Sequence, residues 1–543
     1  MLLNPRLLAF LAAMAGIARL VHAQEPTSGR VRCQVVDAES GNRIPARIYI
    51  QGDDGAWHFP VSQGGTAITY RKSRPDNPRS VEMHTTVSAD PFSVELPLGK
   101  CTFTIERGKE YHPEQREVTV GKQSLDLTFR LRRWINMAGL GWYSGDTHVH
   151  RGLDELPNLM LAEDLNVAFP LLDWTWEAFV SPQAARKEPF QDAAPQPVYI
   201  DATHVYYPRN TEYELFTVNK KPHTLGAFFA LNHRTVLDVG APPVGGIAER
   251  IHREGGLIEL DKHNWPWTMM LIPVMRPDLF ELSNNHVWRT EFAFGGWGEP
   301  APAYMHAEHN DKGLTEWGWI DSGFQNYYAL LNCGFRLRPT AGTATGVHPV
   351  PLGFGRVYVQ CPGEFTYGSW LASLNEGRSF VTTGPMLFVT VDGQPPGHTF
   401  PAGAAAAKEY RVQGRSASDR PLDRFEIVVS GEVVRTVKPV ARKTQLDAYE
   451  CELDERIPID GTAWIAVRCF EARTDKRIRF AHSSPVHVDL PQKPLRPRKP
   501  EIEFLIQRVK EQLERNAGVL PKESLDEYRD ALAVYHQLAK TGP

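Results

Sequence analysis

The six cysteines of this 543-residue chain form no C-x-x-C pair, so zinc ribbons and thioredoxin-like redox chemistry have no support. There is no G-x-S-x-G, no G-x-x-x-x-G-K-[ST] and no H-E-x-x-H. A nucleophile elbow, a P-loop and a zincin helix are thereby excluded. An excess of one charge is also lacking. Lys+Arg 60 nearly balance Asp+Glu 64, for a net charge of -4, whereas a nucleic-acid binder needs a basic face to displace counterions. No apolar run reaches the roughly 20 residues that span a bilayer. Pro 42 and Gly 43 are ordinary usage, which excludes collagen-like and low-complexity chains. What remains, 42% hydrophobic and 23% charged residues, is a folded protein long enough for about three to four domains.

The first residues read MLLNPRLLAFLAAMAGIARLVHAQEP. A short positive start at Arg6, an apolar run from Leu7 to Ala18 and the small-x-small site Val21-His22-Ala23 make residues 1–23 a secretory signal peptide. The mature chain is expected to start near Gln24, secreted or periplasmic. In that oxidising setting Cys33 with Cys101 and Cys451 with Cys469 are possible disulfides, each within one proposed domain; single buried thiols are the alternative.

Residues 29–133 alternate in short stretches such as RVRCQVVDA and FSVELPLGKCTFTIE, with Gly and Pro turns between them. That pattern predicts a β-sandwich. Composition changes at Trp134. Nine of the thirteen Trp lie between Trp142 and Trp319 and ten of the 19 His between His148 and His309, which marks 134–385 as the place to seek chemistry. Its apolar runs LNVAFPLLDW and GGLIELDKH end in polar residues, as buried strands do at the mouth of an α/β barrel. Residues 386–490 return to alternation and predict a second β-sandwich. PQKPLRPRKP (491–500) reads as a linker. The helical spacing of Ile502, Leu505, Val509 and of Leu525, Tyr528, Leu532, Tyr535, broken at Asn516-Ala517-Gly518, predicts a helical hairpin over 501–540. The fold class is multidomain α+β.

The positive chemical signal is Gly145-Asp146-Thr147-His148-Val149-His150. Positions i and i+2 of a strand share a face, so His148 and His150 are candidates to hold one ion. His263 and Asp173 close apolar runs, Glu212 and Glu214 share a strand face, His223 opens the next strand, and Glu281 follows the apolar stretch of DLFELSNN. The bland alternative is a set of hydrogen-bonded polar residues at a barrel mouth.

At these residues the chain resembles the PHP-type metallohydrolases, in their secreted CehA/McbA branch. GDTHVH, LNVAFPLLDW, TEYELFTVNKKPHTLG, GGLIELDKHNW and LNCGFRLRPTAGTATGVHPVPLGFGRVYV carry the resemblance, over roughly 134–395. It implies a distorted β/α barrel with metal at its mouth and hydrolysis of an ester, carbamate or phosphoester bond through metal-bound hydroxide. Carried over residue by residue, it implies His148, His150, Glu212 (or Glu214), His223 and His263 as ligands of one or two divalent ions, zinc, manganese or iron. Asp146, Asp173 or Asp261 would orient water or a ligand. Trp174, Trp265, Trp267 and Asn284 would contact a small-molecule or glycan substrate; the Trp side chains have loop packing as their alternative role.

Trp174 stands where the family has a histidine, and the late Gly-Ser-Asp-x-His is here Gly342-Thr343-Ala344-Thr345-Gly346. These departures predict a site with Trp174 in a ligand's place and one side open at Ala344 and Gly346, with His348 out of register. They also leave a second reading: a non-catalytic barrel that binds a ligand such as a glycan. Nothing in the sequence sets an oligomeric state.

Overall fold

The computed structural model describes residues 27–74, 77–182, 193–292, 295–402 and 407–540. The expected signal peptide lies outside them. The chain is multidomain, strand-rich α+β, and no helix among the described residues is long and apolar enough to cross a membrane.

The first region pairs two antiparallel-rich sheets. One carries Ser28–Asp37 between Phe92–Pro97 and Leu125–Leu131; the other runs from Ala67–Arg74 through Asn77–Val87, Ala46–Gly52 and Gly99–Glu106 to Glu114–Val120. Period-2 alternation puts Val31, Ile48, Phe92, Phe103 and Phe129 in one fully buried core. Here the expectation of disulfides is corrected: all six cysteines are buried free thiols. Cys33 and Cys101 pack in this core and Cys451 and Cys469 in the C-terminal one, as small apolar side chains. Burial pushes the Cys33 and Cys469 thiols up to about 12.

The middle region holds the candidate site between two sheets. One contains Trp142–Val149 flanked by Val167–Pro170 and Arg356–Gln360; the other is a six-stranded sheet running Asp173–Glu177, Thr211–Val218, Lys221–Leu231, Leu257–Leu260, Leu279–Ser283, Arg338–Ala341. The two meet without a continuous ladder. At one seam Ala344 N donates to His148 O at 2.7 Å and His150 N to Thr345 O at 2.9 Å. At the other the chain passes from Pro170 to Asp173.

An all-parallel arrangement is interrupted where Thr211–Val218 and Lys221–Leu231 form a hairpin. Asn219 and Lys220 turn the chain with φ 51 and φ 61, the left-handed pair a tight hairpin needs.

The expected boundary at 385 is crossed by a sheet. Ser379–Thr382 pairs with Phe480–Ser483, so the middle region and the C-terminal sandwich share one twelve-stranded sheet. Short strands with unpaired edges gain a ladder this way. The C-terminal helices Lys499–Asn516 and Lys522–Lys540 pack on each other and on Thr268–Met275. Leu505, Tyr528 and Tyr535 are fully buried, and Tyr535 Oη donates to Met269 O at 2.8 Å.

Candidate metal centre

Three strands deliver their C-terminal ends to one point, and Thr211–Val218 delivers its start. His148 Nε2 lies 3.2 Å from His150 Nε2, and Glu212 carboxylate oxygens lie 3.9 Å from His148 Nε2 and 3.2 Å from His150 Nε2. Donor atoms around a tetrahedral ion with bonds near 2.05 Å stand about 3.3 Å apart, so this trio has the spacing of a ligand set. His148 Nδ1 is 2.9 Å from Glu281 Oε1. An ion on Nε2 with the Nδ1 proton bonded to Glu281 is the carboxylate–histidine arrangement that orients metal-bound imidazoles.

His148 and Glu212 are buried and His150 is half-buried. His148 is 2% exposed and Glu212 1%. Burial holds both imidazoles well below their usual pKa, His150 at about 4, so each keeps a lone pair at neutral pH. Burial, with Asp261 beside them, pushes Glu212 and Glu281 well above the usual carboxylate range. Glu212 Oε2 and Glu281 Oε2 are buried and accept no well-aligned hydrogen bond among the described residues, although Glu212 Oε2 stands 3.2 Å from His150 Nε2 and the Glu281 carboxyl shares a hydrogen bond with that of Asp261. Clustered carboxylates so poorly matched are costly in a low dielectric and fit a cation. The donor set therefore suits a divalent ion.

Glu212, Glu214 and Asp261 form a second trio, and His148, Asp261 and Glu281 a third, with their ligand atoms all within 4.8 Å of one another. Lys262 stands among them. Its Nζ donates to both Asp261 oxygens, at 2.6 and 2.9 Å, and Trp265 Nε1 donates to Asp261 Oδ2 at 2.7 Å. Below, Glu259 accepts from Thr147 Oγ1 at 2.8 Å and Thr340 Oγ1 at 2.6 Å, and burial pushes it up to about 8.

Two of the implied ligands are not brought to the trio. His223 follows the hairpin turn, while Glu212 pairs with Phe229 six residues further on; at about 3.4 Å per residue that is roughly 20 Å. His223 Nε2 instead meets Asn516 Oδ1 at 2.7 Å, on the C-terminal helix. His263 lies past the end of Leu257–Leu260, where the inward position after Glu259 falls to Asp261. Its ring packs on Trp319, centroids 4.5 Å apart, and against Gly323 of the Glu316–Asn332 helix. Burial takes its pKa down to about 3.

The other implied residues also find definite places. Asp146 accepts from Thr343 Oγ1, Thr343 N, Gly353 N and His148 N. With four donors it braces the 343–353 loop against the strand carrying His148. Asp173 pairs with Thr211, and alternation puts it on the face opposite Trp174 and Glu212. Trp174 lies over His150, ring centroids 4.7 Å apart, and so walls the trio. Trp265 holds Asp261 through its indole N–H. Trp267 is fully buried in the core, and the Asn284 carbonyl accepts from His286 N and Trp319 Nε1, which ties its loop to the Glu316–Asn332 helix.

The expected opening at Ala344 and Gly346 is corrected. Ala344 is 1% exposed, and a Cβ on Gly346 would come 2.0 Å from His150 O; the loop lies on the site because these positions are small. The first region caps it: Tyr70 Oη donates to His348 O and accepts from Gly346 N at 2.9 Å.

Glu259 and Lys262 are absent from the sequence-derived candidates, and Glu281 is among them only as a metal-compatible strand-end residue without an assigned role. The available signal was a charged side chain inside or directly after a buried apolar strand, a costly place without a partner.

No family model matches this chain, and no curated protein does. Among solved structures, a two-domain Bacteroides vulgatus protein containing a predicted PHP-like metal-dependent phosphoesterase is similar at 9% identity and TM-score 0.30, over 64% of this chain and 95% of that one. A pilus-presented adhesin is similar at 11% identity and TM-score 0.14, over 20% of this chain and 28% of that one. Likenesses this distant leave the chemistry to the site's own geometry.

Proposed function

We propose that this protein is an exported metal-dependent hydrolase of the PHP type, in the CehA/McbA branch, acting on an ester, carbamate or phosphoester bond. The observation that carries the reading is the buried His148, His150 and Glu212 trio at ligand spacing, with Glu281 on the far nitrogen of His148. Two imidazoles and a carboxylate with an open position are a hydrolytic donor set. A divalent ion bound there supplies Lewis acidity and makes a nucleophile available at neutral pH. This chain's own residues do the rest. Glu281 orients His148, Asp146 holds the adjoining loop, and Trp174 shields His150 from water.

Elemental analysis of the purified protein, paired with a screen of ester, carbamate and phosphoester substrates, tests the reading. Bound divalent ion and turnover, both lost in His148→Ala, are expected; protein that binds no divalent ion at micromolar concentration refutes it. The burial of the trio under Trp174 and the 342–350 loop favours the second reading, a non-catalytic ligand binder. Bound ion without turnover of any ester class would select it.

A further inference from the structure

Two of the trios share Glu212. One is His148, His150 and Glu212; the other is Glu212, Glu214 and Asp261. Were an ion held by each trio, Glu212 would serve both, as shared carboxylates do in two-ion hydrolytic sites. One member of the second trio, Asp261, already holds a cation. Lys262 is 4% exposed, its ammonium contacts both oxygens of Asp261 at 2.6 and 2.9 Å, and Glu214 and Glu281 act on it electrostatically. Its charge also faces the rings of Trp265 and Trp297, 5.4 and 5.9 Å from their centroids.

The position is built rather than adventitious. Trp265 Nε1 fixes the same Asp261 oxygen that Lys262 binds more closely. The lysine is adjacent in sequence to the carboxylate it neutralises, so the end of the Leu257–Leu260 strand places both at once. An ammonium has three donors and no lone pair. It therefore neutralises Asp261 directly and the nearby carboxylates through its charge, yet cannot join a metal's ligand shell. A divalent ion brought into the second trio would have to displace it against like-charge repulsion in a buried site. Among the described residues no ammonium contacts the first trio, although the charge of Lys262 reaches all three of its members.

We propose that Lys262 is a built-in substitute for a second metal ion, so that the centre is mononuclear, with its one ion on His148, His150 and Glu212. This rests on the metal reading of the same site and goes beyond it in assigning the stoichiometry and the residue that sets it. The neighbouring carboxylates keep a compensating positive charge whether or not the ion is bound.

Metal content is the direct test. Full-length protein dialysed against excess Mn²⁺ and then against metal-free buffer is expected to carry one ion per chain. Lys262→Met, which keeps the side chain's length without its charge, is expected to carry two; Lys262→Arg is expected to stay at one. The Mn²⁺-loaded wild type should show the electron paramagnetic resonance of isolated ions, and Lys262→Met the altered spectrum of a coupled pair. Two ions in the wild type overturn the inference and leave the metal reading standing. So does a folded Lys262→Met that stops at one. No ion in the wild type overturns both. If Lys262→Met does not fold, the wild-type spectrum decides, because a coupled pair there excludes a mononuclear centre.

Discussion

Gly342→Ala probes the packing of the centre with a single methyl group. Gly342 follows the Arg338–Ala341 strand, and its N–H donates to Ser283 O at 3.0 Å. An added Cβ would lie 2.0 Å from Glu281 Oε1 and 2.3 Å from His148 Cβ. The glutamate oxygen can swing away, but the histidine Cβ moves only with its strand. Relief therefore requires a displacement of more than an ångström between two strands that meet at the site. Forced insertion of a methyl group into a packed interior costs about 1–3 kcal/mol. Swinging Glu281 off His148 Nδ1 leaves buried polar atoms unmatched, for about 1–3 kcal/mol more. A glycine-to-alanine change at an unstrained, roomy position instead stabilises by about 0.4–1 kcal/mol through the unfolded chain, so the sign alone is informative. Urea unfolding at pH 7 is expected to show a loss of roughly 2–6 kcal/mol, the sum of those two costs. Metal affinity should fall with it, since His148 loses its orienting partner. A variant as stable as the wild type, binding the same metal with the same affinity, would refute the packing argument.

Three further expectations follow from the same geometry. His263→Ala should leave the metal stoichiometry unchanged while His148→Ala abolishes it, as read by elemental analysis; equal loss in both would put His263 back among the ligands. Tyr70→Phe removes the hydroxyl that spans Gly346 N and His348 O, for about 1–3 kcal/mol if the amide is left unmatched. Hydrogen exchange of the 344–350 amides should quicken, and unchanged exchange would show that the cap does not hold the loop. Glu82 is fully buried, and although burial alone would raise its pKa, Arg289 at 3.2 Å and His84 hold it down at about 2. Its folded value is depressed, so its contribution is complete above about pH 4.5 and is lost as the pH falls toward 2. Linkage puts that contribution at about 3 kcal/mol. Glu82→Gln should flatten the acid limb of the stability curve over that window; parallel curves for the two proteins would contradict it.

Several features of the chain were legible in its residues alone. The alternation around Val31 and Phe129, the 3.6-residue spacing of Leu505, Val509, Tyr528 and Tyr535, and the break at Gly518 are local periodicities, and local periodicity determines which face of an element is buried. The same logic brought out His148 with His150, and Glu212 with Glu214, as pairs sharing a strand face. Tertiary structure alone decided which strand ends meet. His223 looked equivalent to Glu212 in the sequence, but a two-residue hairpin carries it to the far end of the ladder. His263 closed the expected strand, but the inward position fell to Asp261, and with it came Lys262. Glu281 became the partner of His148 across 133 residues, and Ser379–Thr382 found its neighbour in Phe480–Ser483 beyond the expected boundary. Pairings of this kind depend on non-local contacts whose register no single segment encodes. The candidate ligand types could therefore be read along the chain, while the His148, His150 and Glu212 trio and the lysine beside it were set by how the sheets pack.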